Sequence, residues 1–180
     1  ITVDWDVGAA AVKTREGVPD FDAKTARRVV TTGCGQGTVF GDLMADLDSV
    51  RLPPADDAAG RLRQGTLYRL LDAVRQQETT YKSAGPVHAC APSRGGELPL
   101  FAEDGGRHNA IDTIAGWMWL NGVGGADKIF YTTGRLTSEM VIKSAQMGVP
   151  FVVSRSGITE MGLGVARRLG LGLFGLGFKQ

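Results

Sequence analysis

The sequence predicts a single α/β domain in which helices cover both faces of a mixed sheet. The first observation is that short apolar segments alternate with helical segments between residues 127 and 175, which is typical of parallel strands joined by helices. The second is a pair of apolar segments around a glycine-containing turn near residue 95, which predicts an antiparallel hairpin. A length of 180 residues with 43% apolar side chains suits one domain over residues 1–180.

The first half of the chain contains two predicted strands and one predicted helix. Residues 1–7 alternate between apolar and polar side chains, which is the period of a strand. Residues 26–32 form a second strand candidate, which ends in a glycine-rich turn at residues 33–37. Residues 61–77 predict an amphipathic helix, because their apolar side chains repeat at helical spacing. Those side chains are Leu62, Leu67, Leu70, Leu71 and Val74.

The middle of the chain predicts a hairpin followed by a helix. Residues 85–91 are short and apolar, as in a buried strand, and residues 98–102 are the expected partner strand. The turn between them falls at residues 93–96. The helix is expected at residues 109–121, because apolar side chains line one side of it and Gly122 follows as a stop signal.

The last third of the chain has the clearest pattern. Strand, helix, strand, helix and strand follow one another, which predicts a parallel part of the sheet with right-handed crossovers. The predicted strands are residues 127–133, 149–153 and 171–175, and the predicted helices run from Thr137 or Ser138 to Gln146 and from Thr159 to Leu169.

The composition argues against several classes of protein. A net charge of +1 gives no general attraction for nucleic acid or for an anionic membrane. Two cysteines and two histidines argue against a disulfide scaffold and against a metal site. No apolar segment approaches the ~18 residues that a membrane helix needs. We therefore expect a cytoplasmic protein with no membrane or nucleic-acid partner, and we expect the chain, which begins at Ile1, to be a fragment or a processed form.

The turns that follow the parallel strands are candidate binding sites. In open α/β sheets, ligands bind at the carboxyl ends of strands. Here those turns contain Gly134 and Arg135 after one strand, and Ser154 and Arg155 after the next. Arginines and the amides of helix starts suit an anion such as phosphate. The alternative is that these residues form ordinary helix caps with solvated arginines.

Five segments of the chain together resemble a known family. They are residues 33–35, 85–89, 103–112, 134–140 and 154–156. Their order and their motifs, above all Arg-His-Asn and Gly-Arg-Leu-x-Ser-Glu-Met, resemble the FdhD family, the accessory sulfurtransferases of formate dehydrogenase. The resemblance extends over nearly the whole chain from Arg27 onward, and the chain looks like the C-terminal two-thirds of such a protein with its N-terminal segment absent.

The resemblance implies a fold, an activity and partners. The fold would be a cytidine-deaminase-like three-layer architecture without the zinc of the deaminases. The protein would take persulfide sulfur from a cysteine desulfurase and pass it to the bis-molybdopterin guanine dinucleotide form of the molybdenum cofactor. The cofactor would then be inserted into formate dehydrogenase. The resemblance also implies a homodimer.

The resemblance assigns the sulfur-carrying role to Cys34. The family's loop has two cysteines separated by two residues, whereas here the loop is Cys34-Gly-Gln-Gly37, so the second cysteine is missing. One thiol is enough to hold a persulfide, and flanking glycines would give it exposure and mobility. The alternative is a small residue buried in a tight turn.

The predicted cofactor contacts come from three places in the sequence. Arg107 and His108 stand at a predicted helix start, where they would hold a phosphate or a pterin edge, or else form a cap network. The turns after the two parallel strands supply the second group of contact residues. The third group follows the final strand, where the resemblance places a guanine-nucleotide contact. The full set is Arg107, His108, Gly134, Arg135, Ser154, Arg155, Leu176, Gly177, Phe178 and Lys179.

Two other functions compete with the sulfur carrier. One is a non-catalytic chaperone that binds the molybdenum cofactor, with Cys34 incidental. The other is a deaminase-like hydrolase, which lacks its zinc-binding signatures here. Cys90 and His88, both in the predicted strand at 85–91, are interpreted as a packed core residue and a hydrogen-bonded structural residue.

Overall fold

The computed structural model describes residues 1–15, 17, 46–52, 62–77, 83, 85 and 87–175. The chain divides into two compact units, residues 1–45 and residues 46–180. Whether the whole chain is one domain therefore stays a prediction. The predicted strand at residues 26–32 lies outside the described residues, as do five of the predicted site residues. These are Cys34, Leu176, Gly177, Phe178 and Lys179.

In the first unit the described residues form a small hairpin. Strand β1 (Thr2–Asp4) pairs antiparallel with strand β2 (Ala9–Ala11). The predicted strand over residues 1–7 is wrong in its second half, because the Asp4 Oδ1 atom accepts hydrogen bonds from the backbone N–H groups of Asp6 at 3.0 Å and Val7 at 3.3 Å. This local bond competes with strand pairing and turns the chain.

The second unit contains a five-stranded mixed sheet with the order β4-β3-β5-β6-β7. Strand β3 is antiparallel to both of its neighbours, whereas β5, β6 and β7 are mutually parallel. The sequence pattern is thus confirmed for both the hairpin and the strand–helix repeat. The strands are β3 (His88–Ser93), β4 (Ala102–Asp104), β5 (Ile129–Thr132), β6 (Phe151–Ser154) and β7 (Gly172–Gly175).

Among the described residues of this unit, four α-helices and one short 3-10 helix accompany the sheet. Each α-helix lies within three residues of its predicted bounds at either end. No helix in the described part of the chain is both long and apolar enough to cross a membrane. The helices are α1 (Gln64–Gln77), α2 (Arg107–Leu120), α3 (Ser138–Gln146) and α4 (Glu160–Leu169), and the 3-10 helix is Asp46–Ser49.

The helices cover both faces of the sheet, as predicted. On one face, Leu70 and Val74 of α1 pack in a buried cluster with Ile129, Tyr131 and Val153 of the central strands. The connections from β5 through α3 to β6 and from β6 through α4 to β7 are successive parallel crossovers, so α3 and α4 cover one common face. Helix α2 packs against α3 and against β3 and β4 on that side.

The structure corrects several predicted bounds. Strand β3 is His88–Ser93 and not residues 85–91, and helix α1 begins at Gln64 and not at residue 61. The partner strand of β3 is Ala102–Asp104 and not residues 98–102. Pro99 has no N–H group to donate to a ladder, so pairing with β3 resumes only at Ala102, which faces Cys90. Helix α2 begins at Arg107, two residues before the predicted start at Asn109.

Candidate functional site

One edge of the sheet brings the candidate residues of the second unit together. Strands β5 and β6 end there, at Thr132 and Ser154, which lie side by side. Strand β3 runs in the opposite direction, so its first residue, His88, lies at the same edge. We call this edge, with the two loops that follow β5 and β6 and the start of α2, the carboxyl edge.

Buried hydroxyl groups fix the backbone of Gly134 at the carboxyl edge. The Gly134 N–H donates to Thr132 Oγ1 at 3.0 Å, and the Ser154 hydroxyl donates to the Gly134 carbonyl oxygen at 2.8 Å. Ser154 Oγ also accepts from the backbone N–H of Ser156 at 2.9 Å. Thr132 and Ser154 are both fully buried, so these bonds form away from competing water.

The loops after β5 and β6 are joined to each other through their backbones. Leu136 N–H donates to the Gly157 carbonyl at 3.0 Å, and Thr159 N–H donates to the Leu136 carbonyl at 3.0 Å. The Thr159 hydroxyl then accepts from the Gly162 N–H at 3.1 Å and caps helix α4, as predicted. The two loops therefore form one rigid platform and not two independent turns.

Arg107 packs directly over Gly134. A Cβ atom at Gly134 would stand 3.0 Å from Arg107 Cβ and 3.1 Å from Arg107 Cδ, so any larger residue would require Arg107 or the loop to shift by a few tenths of an ångström. Arg107 is 8% exposed, which is low for an arginine. Its guanidinium charge is thus held at the edge of the sheet by packing of its own side-chain stem.

The start of helix α2 is set by Asp104. Its Oδ1 atom accepts hydrogen bonds from the Gly106 N–H at 2.7 Å and from Asn109 Nδ2 at 3.1 Å. Asp104 and Asn109 thus form the cap network that was the alternative interpretation of this helix start.

His108 and Glu139 form a half-buried contact between α2 and α3. His108 Nε2 lies 3.4 Å from Glu139 Oε2, with the two side chains 13% and 11% exposed, although the contact does not meet the geometry of a hydrogen bond. Burial lowers the pKa of His108, and the positive charges of Arg107 and Lys143 lower it further. The negative charges of Glu139 and Asp112 raise this pKa, but by less than the other effects lower it. His108 is therefore neutral at pH 7, and the contact is not an ion pair there.

Positive charge dominates the surroundings of His88. Burial lowers the pKa of His88, and the guanidinium groups of Arg107 and Arg135 lower it further. Arg135 itself is exposed, whereas Arg107 is buried, so one arginine lies beneath the edge and one reaches into solvent. Both guanidinium groups are thus close enough to His88 to act on its imidazole, and positive charge of this kind at the carboxyl edge suits an anion.

Cys90 lies below this edge and has no access to solvent. It is fully buried, and its Sγ atom lies 3.3 Å from Thr132 Oγ1 in a hydrogen bond. Burial raises the pKa of the Cys90 thiol to about 12, so it is protonated at neutral pH. The thiolate is the reactive form of cysteine, and Cys90 is therefore a packed core residue, as the sequence indicated.

The predicted cofactor-binding residues that the structure describes all lie at the carboxyl edge, but their side chains differ in burial and in what they contact. Arg107 and His108 come from the start of α2, and Arg135 comes from the loop after β5. Ser154 is buried and uses its hydroxyl to hold the loops, so its predicted contact with a ligand stays a prediction. Arg155 is half-buried and donates its backbone N–H to the Thr132 carbonyl at 2.9 Å.

Three residues of this edge are not among the predicted site residues. The sequence predicts a structural role for His88, and it singles out neither Glu139 nor Thr132. His88 and Glu139 do fall within the family-like segments 85–89 and 134–140, which is the signal that could have found them. Thr132 carries no such signal. Among the described residues, no three His, Cys, Asp or Glu side chains are grouped so that they could hold a metal ion.

Known proteins resemble this chain over most of its length. A model of the FdhD/NarQ family matches residues 1–178. The sulfur carrier protein FdhD of Halalkalibacterium halodurans is 34% identical over 171 residues, which cover 95% of this chain and 62% of that protein. The protein of the same name from Bacillus pumilus is 30% identical, over 94% of this chain and 63% of that protein. The chain thus spans less than two-thirds of the length of these relatives.

A solved structure resembles the fold. It is that of a protein from Desulfotalea psychrophila to which the role of formate dehydrogenase accessory protein is ascribed. The two share 30% sequence identity with a TM-score of 0.65, over 74% of this chain and 56% of that one.

Replacing Gly134 by alanine tests the close packing of Arg107. We expect Gly134→Ala to lower the free energy of unfolding by about 1–3 kcal/mol, because the added methyl group forces Arg107 or the loop to move. Urea denaturation measures this change. Gly157→Ala is the matched control in the neighbouring loop, since a Cβ there meets no atom within 4 Å. Equal losses in the two variants would contradict the packing argument.

The two histidines predict a loss of stability in mild acid. Because burial lowers the pKa of both His88 and His108 below the ordinary value of 6.5, the unfolded chain binds protons more readily than the folded one. The free energy of unfolding should therefore fall as the pH drops below about 6.5. An NMR titration of the ring protons should place both pKa values below the ordinary one.

Glu139→Gln sharpens this test for His108. Removing the carboxylate removes an interaction that raises the pKa of His108, so that pKa should fall further while that of His88 changes little. Asp72→Asn, at an exposed position of α1, is the control and should move neither value. A pKa of His108 that rises in Glu139→Gln would overturn the assignment of the electrostatic surroundings.

Proposed function

Because the chain belongs to the FdhD/NarQ family, we propose that it is a sulfur carrier protein that serves the maturation of formate dehydrogenase. It takes persulfide sulfur from a cysteine desulfurase on Cys34 and delivers it to the bis-molybdopterin guanine dinucleotide cofactor, which it holds as cargo. In this activity it is a sulfurtransferase. The cytoplasmic location and the homodimer that the sequence analysis expects stay predictions.

The observation that carries this proposal is the convergence of Arg107, Arg135 and neutral His88 at the carboxyl edge. A guanine dinucleotide carries a pyrophosphate, and guanidinium groups are suited to bind its oxygens through paired hydrogen bonds. The joined loops hold Gly134 and the start of α3 in fixed positions, so little entropy is lost when a ligand is bound. Neutral His88 and His108 can each donate one hydrogen bond and accept another, as the edges of a pterin or a guanine require.

The sulfur step is assigned to Cys34 on its motif, since this residue lies outside the described residues. The Cys34 thiolate attacks the outer sulfur of the desulfurase persulfide, a new S–S bond forms on Cys34, and the desulfurase cysteine leaves as a thiolate. Cys90 is poorly suited to replace the missing second loop cysteine, because its thiol is buried and protonated at neutral pH.

A second candidate function is a cofactor-binding chaperone that transfers no sulfur. The single loop cysteine favours it, since residue 37 is glycine where the family has its second cysteine. This function uses the same carboxyl edge but requires nothing of Cys34. The two functions therefore differ only in the fate of that thiol.

Guanosine diphosphate binding tests the carboxyl edge. Calorimetry should show saturable binding to the chain, and Arg135→Ala should weaken it about tenfold, because a charge-assisted hydrogen bond contributes roughly 1.5–3 kcal/mol. Arg167→Ala, an exposed arginine of α4, is the matched control and should leave the affinity unchanged. Equal affinities for the Arg135 and Arg167 variants would remove the carboxyl edge as the nucleotide site.

Mass spectrometry of the thiols tests the sulfur step. After incubation with a cysteine desulfurase and cysteine, the chain should gain one sulfur atom on Cys34, and Cys34→Ala should gain none. Cys90→Ala is the control and should still accept sulfur, because Cys90 is buried. A chain that binds guanosine diphosphate but never gains sulfur on Cys34 would favour the chaperone function.

A further inference from the structure

We infer that a second ligand site, for a small organic anion with an apolar body, lies at the opposite edge of the same sheet. A cleft of about 350 Å³ opens there between the first turn of α1 and the beginnings of β5 and β6. This volume falls within the range of small-molecule sites. Strand β5 separates the cleft from the carboxyl edge by its four residues, on the order of 10 Å. The inference does not rest on the proposed function.

The charged side chains of the cleft have an excess of positive charge. Asp127 accepts from Lys128 Nζ at 2.6 Å and lies 2.9 Å from Arg94 Nε, so two cations share one carboxylate. The hydrogen bond from Lys128 is the main reason that the pKa of Asp127 is lowered, and Asp127 is therefore ionised at neutral pH. Arg63 on the first turn leading into α1 adds a third cation to the lining. Three cations against one carboxylate favour an anionic ligand.

A buried hydroxyl group in the lining needs a hydrogen-bond partner. Ser93, at the end of β3, lines the cleft and is fully buried. No atom of the described residues forms a hydrogen bond with its Oγ atom. Leaving such a group unpaired costs about 1–3 kcal/mol. Ser93 therefore has an unused donor, which an acceptor oxygen of a ligand would reach after a small shift of the wall around it.

The remaining lining determines the shape of the ligand. Leu62, Ile129, Pro150 and Phe151 form an apolar wall beside the charged group. The Phe151 ring is held from behind by Phe174, with ring centroids 6.0 Å apart. A bare inorganic anion would leave this wall in contact with water, whereas a phosphate or carboxylate on an apolar body would cover it. Both acids share the chemistry that the cleft offers, and the experiment distinguishes them.

The test is an NMR titration of the ¹⁵N-labelled chain with phenyl phosphate, benzoate, inorganic phosphate and benzyl alcohol. We expect at least one of the two aromatic anions to saturate a site that shifts the amide signals of Ser93, Gly95 and Lys128. Inorganic phosphate and benzyl alcohol should bind there at least about tenfold more weakly, since each satisfies only one half of the lining. Shifts confined to the carboxyl edge, or no saturable shift, would overturn the inference.

Two variants separate binding from folding. Ser93→Ala removes an unpaired buried hydroxyl, so it should leave the melting temperature equal or higher while weakening the aromatic anion severalfold. Arg63→Gln, at an exposed position just before α1, should also weaken binding severalfold, and Arg75→Gln, at an exposed position within α1, is the matched control. Unchanged affinity in both Ser93→Ala and Arg63→Gln would overturn the site even if one variant folded poorly.

Discussion

The fixed position of the Gly134 backbone is the constraint on which the carboxyl edge depends. Its N–H and its carbonyl are both bonded to buried hydroxyl groups, those of Thr132 and Ser154. In a buried setting such bonds are strong and their loss is costly, so they stabilise this conformation of the loop. Arg107 can then pack on the open face of this glycine, and the placement of its charge follows from a backbone position.

The packing of Arg107 on Gly134 also affects the protonation of the two histidines at this edge. Arg107 is held close to both histidines, and its charge adds to the effect of burial, so both imidazoles are neutral where an anion would bind. The nearby pair of Lys143 and Asp112, with Nζ–oxygen distances of 2.7 and 2.8 Å, links α3 to α2 on the surface. Such an exposed pair adds little stability. Burial, with the charge of Arg107 added to it, keeps both imidazoles neutral.

The two edges of the sheet differ in how they present charge. At the carboxyl edge Arg135 stands on a loop that is fixed by buried hydroxyl groups, Arg107 stands at the start of α2, and a neutral histidine accompanies them. At the opposite edge, Arg94 and Lys128 share Asp127 beside an apolar wall, and Ser93 offers an unused donor. The first arrangement suits the phosphates of a nucleotide, and the second suits a compact acid with an apolar body. One sheet can thus hold two ligands of different chemistry without overlap.

The sequence by itself determined the sheet, because the alternation of apolar strands and capped helices between residues 127 and 175 is a local property of the chain. Its motifs also identified Arg107, His108, Gly134 and Arg135, and all four lie at one edge. Only the tertiary structure could place His88 beside them, since β3 is antiparallel to β5 and its paired residues are 36 to 42 positions away along the chain. The predicted bounds of β4, the strand that pairs with β3, were wrong for a related reason. The register of strand pairing depends on contacts between two segments and not on the pattern within one of them.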